Sequence, residues 1–406
     1  PSLHVLEGWD GGRVDYPRNA AIQVDVETYP SAAEWRGQDL VHGEGDLPFG
    51  LDDKLGLAHC MSLARLVVEH DLECPPLLLI GRPDEEIGRM EAVEGLADEL
   101  VRRGVRYAYT VDGLLPFEIN VENFNAAGAS LLFPSSLFEP KGQVVALRIG
   151  GVNTHGATAQ AEGYRAATRL AAEIDAACEG ATCITFHSDT LRDCDAETLW
   201  EVRDLRDFQE TVYAVMAPHL PRGASVDIGP SKGMGDASVA EMLRFLRAFY
   251  ASEPGFVLHA EESSGHQGYS NPYRARMVRG GLKLDLRLRD FRADGVQQRV
   301  DHMREIAGDR RVQVSQQYVN MGPRLAEHPE LVAWASEACE QLGLPVRIQP
   351  IRGGTGVDPF LDRGIPVANL GTGYFAPESE KEFTSVQMMG MHARWLVQLV
   401  GIIARS

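Results

Sequence analysis

The chain has 406 residues, 44% hydrophobic and 24% charged, which is the composition of an ordinary globular protein of two or three domains with a full core. Its formal net charge of −19 repels phosphate backbones and argues against a nucleic-acid partner. No apolar run is long enough to span a bilayer and no basic-then-apolar leader opens the sequence, so no membrane partner and a soluble, cytoplasmic protein are expected.

In chain order, Ala20 to Val26 reads as a buried strand ending near Asp25. Lys54 to Glu69 carries Leu57, Met61, Ala64 and Val68 at helical spacing. Pro76 to Ile80 is a short apolar strand, Glu91 to Arg103 a helix, and Tyr107 to Asp112 a strand ending in an acid. Strand, helix, strand, helix, strand is the order of an α/β sheet, in which ligands gather beyond the carboxyl ends of the strands. Asp25, Glu85, Glu86 and Asp112 all fall at such ends.

From about residue 148 the pattern changes. Val145 to Ile149 is a strand, Ala161 to Cys178 a helix, Gly281 to Leu288 a half-exposed strand and Val296 to Ile306 a helix. This set predicts an inserted α+β domain over 148–306, within an α/β domain of mixed sheet and flanking helices made of 1–147 and 307–406. Inside the insertion, about 180–255 forms an extra, mostly helical block, with helices expected over Ala196 to Ala217 and Ala237 to Ala251. After Ala307 the α/β pattern resumes, with a helix from Leu331 to Leu342, strands at Pro345 to Ile348 and Ile365 to Leu370, and a closing helix from Ser385 to Ile403. The six cysteines, Cys60, Cys74, Cys178, Cys183, Cys194 and Cys339, form no CxxC pair and read as reduced, mostly buried thiols.

Asp52, Glu86 and Asp112 come from three separate segments. Carboxylates gathered at one place repel each other unless a cation sits between them, whereas three unrelated surface acids need no such explanation. The neighbouring Glu85 and Glu86 can point differently, so that one binds a metal and the other acts as a base.

The stretches Gly50-Leu51-Asp52-Asp53-Lys54, Pro83-Asp84-Glu85-Glu86-Ile87-Gly88, Tyr109-Thr110-Val111-Asp112-Gly113, Glu122-Asn123-Phe124-Asn125, His155-Gly156-Ala157, Leu288-Arg289-Asp290-Phe291 and Ile351-Arg352-Gly353-Gly354-Thr355 occur in this order. In them the sequence resembles the zinc metallopeptidase family that includes aminoacylase and acetylornithine deacetylase, and most closely its peptidase T branch. The resemblance implies a catalytic α/β domain around a dinuclear zinc site, plus a lid that often dimerises. It makes Asp52 the bridging ligand, Glu86 and Asp112 terminal ligands, Glu85 the general base and His155 the stabiliser of the oxyanion. It places Asn123, Arg289 and Arg352 at the substrate, where an arginine fork binds a carboxylate.

Two positions depart from the family. Its first metal histidine falls at Gln23 and its last at Lys381, so each zinc loses an imidazole. The remaining set is all-oxygen, and the Lys381 ammonium offers a positive charge in place of a metal. The expectation is an enzyme redirected to chemistry without a metal cofactor, acting on a small molecule or peptide with a carboxylate and using Glu85, His155 and Lys381. The alternatives are an amidohydrolase with one or two divalent ions (Zn, Mn or Mg) on substituted ligands, and a non-catalytic binding protein. Glu378, Glu380, His4 and His42 are the residues able to fill a vacated ligand position, and a homodimer through the lid is expected.

Overall fold

The computed structural model describes residues 2–83, 90–152, 165–189, 195–252, 256 and 268–406. They form two compact units: Pro1–Ala20, Val24–Phe124 and Tyr318–Ser406 in the first, Ala21–Gln23 and Asn125–Gln317 in the second. The sequence pattern put the changes at 147 and 307. The units divide earlier on one side and later on the other because Asn125–Pro134 is laddered residue by residue to Gly281–Asp290. The chain is of the α/β class, with a mixed sheet and flanking helices, as the pattern predicts.

In the first unit, the helix Leu51–His70 turns Leu51, Leu55, His59 and Leu63 inward at intervals of four. It packs on the C-terminal helix Val386–Arg405, which also lies against Pro329–Gln341. The Trp395 indole donates to the Ala335 carbonyl across that second contact at 3.0 Å. The sheet beside them runs in the order Arg347–Gln349, Glu118–Asn120, Val367–Gly371, Ala108–Gly113. The Val367 and Ala108 strands are parallel, and the Val367 and Glu118 strands antiparallel. A second sheet, ordered His4–Leu6, Leu40–His42, Phe383–Ser385, Tyr374–Phe375, covers an aromatic core. There Trp35 meets Phe375 at 4.8 Å and Phe383 at 5.9 Å between ring centroids.

Two expected strands are not formed. Residues 20–26 are turn and irregular chain. The Asp25 carboxylate accepts the backbone N–H groups of Glu27 (3.0 Å) and Thr28 (2.8 Å), a local turn that competes with any ladder. Asp25 therefore serves its own turn and stands at no strand end. Residues 76–80 lie outside any ladder, with Leu77 to Ile80 exposed. Pro75 and Pro76 bring no N–H with which to begin one.

Among the described residues, the second unit holds two four-stranded sheets and the α-helices Ala167–Ala177, Leu205–Met216, Ala237–Tyr250 and Ala293–Ala307, packed around one apolar core. One sheet runs Gly268–Val278, Gly281–Asp290, Asn125–Pro134, Gln313–Tyr318, and the other Ser225–Pro230, Gln143–Gly150, Asp195–Val202, Ala181–His187. The 180–255 segment is thus no helical appendage, since three strands of the second sheet come from it. The helix expected from Ala196 is a strand up to Val202, whose Ala196, Thr198, Trp200 and Val202 point inward with the period of two. The strand expected to be half-exposed, Gly281–Asp290, is central in its sheet and buried on both faces, with Asp285 paired to Arg274 at 2.9 Å and Asp290 to Arg299 at 2.9 Å. Among the described residues no helix is long and apolar enough to cross a membrane.

Candidate metal centre

Asp112 stands at the end of Ala108–Gly113, where the pairing with the neighbouring strand slips: Leu370 faces Val111, and Gly371 already faces Gly113. Such an irregularity re-aims the side chain it skips. The chain after Gly371 is then hooked back onto the chain after Asp112. The Thr372 amide donates to the Gly113 carbonyl at 2.9 Å, and the amides of Gly373 and Tyr374 donate to that of Leu114 at 2.9 and 3.1 Å. This brings Tyr374 beside the strand end.

Asp52 and Asp53 lie where Leu51–His70 begins. Gly50 adopts a left-handed φ of 79°, Asp52 and Asp53 have non-helical dihedrals, and the peptide between them is cis. Asp53 caps the regular part of the helix, its carboxylate accepting the Gly56 amide at 3.0 Å. Gly56 is needed there, because a Cβ would fall 2.0 Å from the Val111 carbonyl and 2.5 Å from the Asp53 carboxylate. The helix therefore rides directly over the strand that ends in Asp112. As a result Asp52, Asp53 and Asp112, all half-buried, each present a carboxylate oxygen within 4.8 Å of the others.

A fourth carboxylate supports this cluster from behind. Buried Glu382 accepts the amides of Gly50 and of Leu51 (3.0 Å) on one oxygen and that of Glu378 (2.9 Å) on the other. Burial pushes its carboxyl up to about 7 and the Asp52 charge adds to this, against the lowering by the amide donors. Tyr374 is fully buried, with its hydroxyl beside Asp52 and Asp112. Burial, then those two negative charges, holds the phenol well above its ordinary range.

Of the expected site residues, the structure brings Asp52 and Asp112 together. Glu85, Glu86 and His155 lie outside the described residues. Lys381 is buried, its amide donating to Ser379 Oγ at 3.2 Å and its carbonyl accepting the Tyr16 hydroxyl at 2.7 Å. Gln23 is exposed and belongs to the second unit. Asn123 and Arg352 are brought close by the pairing of 122–124 with 351–353. The Asn123 amide is occupied by backbone, accepting from the Met321 amide at 2.6 Å and donating to Phe124 and Val319 carbonyls at 3.2 and 3.4 Å. The Arg352 guanidinium lies 5.4 Å over the Phe124 ring. Arg289, in the second unit, is buried and donates to the carbonyls of Ala127 (3.3 Å) and Leu288 (3.0 Å). His42 turns Nδ1 to the Gly43 carbonyl at 2.8 Å and stacks on His4 at 5.6 Å. Among the described residues, no imidazole joins the carboxylate cluster, nor do Glu378 and Glu380.

Three members of the site escaped the sequence reading. Asp53 and Glu382 each adjoin a residue named from the sequence, Asp52 and Lys381. Tyr374 carried no signal beyond the Gly371-Thr372-Gly373 turn before it. The donor set suits a hard divalent cation: oxygen only, mutually repelling, with a buried phenol oxygen beside it.

No protein-family model matches the chain. It is similar to the Peptidase T of Geobacillus kaustophilus, 23% identical over 415 residues that cover 99% of this chain and 77% of that protein. The Peptidase T of Lactobacillus helveticus is 25% identical over 399 residues, covering 96% and 73%. Among solved structures, the aminoacylhistidine dipeptidase of Vibrio alginolyticus shares the fold, with a TM-score of 0.51 at 15% identity over 73% of this chain and 65% of that one.

Proposed function

Because the chain belongs to the metallopeptidase family that includes peptidase T, we propose that it hydrolyses the amide bond of a short peptide or N-acyl amino acid, with a divalent cation held by Asp52, Asp53 and Asp112. The carboxylate cluster carries this reading. Two like charges 4 Å apart near a protein surface repel by about 4 kcal/mol, so three oxygens within 4.8 Å with Glu382 behind them call for a cation. The oxygen-only set favours manganese or magnesium over zinc. Bound there, the ion supplies Lewis-acid polarisation of the scissile carbonyl.

In this reading Glu86 adds a further carboxylate, Glu85 takes the proton of the attacking water, and His155 donates to the oxyanion. Arg352 receives the substrate carboxylate. The first unit is the catalytic domain and the second the lid, through which two copies pair. Protein stripped with EDTA is expected to regain tripeptide hydrolysis with Mn²⁺ or Mg²⁺, and the Asp52→Asn variant to regain less than about a hundredth of it. Calorimetry showing that neither ion binds would sink the proposal.

A second reading rests on Lys381, only 7% exposed, at a position where the family carries a metal imidazole. Its ammonium neutralises the carboxylates and the reaction runs without metal. Turnover undiminished in EDTA but lost in Lys381→Met would favour it.

A further inference from the structure

Tyr374 is placed by the backbone with little freedom. Its amide is tied to the Leu114 carbonyl at 3.1 Å, and it pairs with Thr384 across the sheet, next to Phe375 opposite Phe383. Alternation along the strand sends Phe375 into the aromatic core and Tyr374 to the other face. The turn before it needs Gly373, whose φ is 86° and whose Cβ would meet His392 Nε2 at 2.8 Å. The buried hydroxyl lies beside Asp52 and Asp112 but has no hydrogen-bond partner among the described residues. A phenylalanine would fill the same space without burying an oxygen, and two phenylalanines already do so in the same sheet pair. The oxygen is therefore retained for the site.

We propose that Tyr374 is a positioning residue of the carboxylate cluster: its hydroxyl donates to one oxygen of Asp52 and leaves the other for the cation. This rests on the cation-dependent reading above. Groups that orient a metal ligand from behind typically change metal affinity 10- to 100-fold when removed. The test is a titration of the EDTA-stripped full-length protein with Mn²⁺, following the spin resonance of the free ion, beside thermal unfolding without cation. Tyr374→Phe is expected to bind Mn²⁺ about tenfold more weakly than the wild type, with an unchanged or higher melting temperature. Equal affinity in the two proteins overturns the inference and leaves the cation-dependent reading standing. A Tyr374→Phe protein that does not fold also overturns it, since the hydroxyl would then hold the fold and not the site. A wild type that binds no Mn²⁺ overturns both.

Discussion

His392 shows how a single buried group sets a pH dependence. Its ring stacks on Phe117 at 4.6 Å and on His59 at 5.1 Å, with no exposed edge. Burial, with His59 adding to it, holds His392 well below its ordinary value, and burial lowers His59 too, against the Thr372 carbonyl contact. Both rings are neutral in the fold and take up protons on unfolding. A depressed group of this kind gives stability that is present above the unfolded value of about 6.5 and is lost as pH falls below it. Each such ring costs up to about 1.4 kcal/mol per pH unit in that range. The melting temperature is expected to drop between pH 7 and pH 5, and His392→Phe to flatten the drop. A wild-type curve that rises toward pH 5 would contradict this. At the same scale, Asp52 and Asp112 were legible because each lies in a short motif at the end of an element. Glu382 was not, because its work is done on the amides of Gly50 and Leu51, 332 and 331 residues away in sequence.

Among the elements, the opening helix is held by one close approach. Replacing Gly56 with alanine adds helix propensity worth about 1 kcal/mol, yet puts a methyl 2.0 Å from the Val111 carbonyl. The helix must then lift off the strand, at a net cost of about 1–3 kcal/mol, and Asp53 must part from Asp112. Urea unfolding of Gly56→Ala should show that loss together with weaker Mn²⁺ binding; a variant as stable as the wild type would refute the close packing. Helices were read well from sequence, because a buried stripe at intervals of three and four is a local signal: Leu51–His70, Met90–Arg102, Ala293–Ala307 and Pro329–Gln341 all fall where expected. Apolar content alone does not make a paired strand. Residues 20–26 and 76–80 are apolar without a ladder, and Asp195–Val202 is a strand whose alternation runs straight into the helix at Leu205.

At the scale of the molecule, a net charge of −19 means the fold is held against its own repulsion. Raising NaCl from about 0.02 to about 0.2 M shortens the screening length several-fold and should raise the melting temperature by a few degrees. A decrease would show that attractive ion pairs outweigh the repulsion. The sequence by itself determined the α/β class and the likeness to peptidase T, and it singled out Asp52 and Asp112, which the structure gathers within one cluster. These are carried by periodicity and short motifs, which are local along the chain. Tertiary structure alone decided that Asp53 is the third carboxylate, that Glu382 braces the helix start, that Asn123 is committed to backbone, and that the Tyr374 hydroxyl is buried beside the cluster. Each of these depends on the approach of segments far apart in sequence. Side-chain chemistry permits such contacts, and only the packing of the helix onto the strand at Gly56 and the turn at Gly373 fixes them.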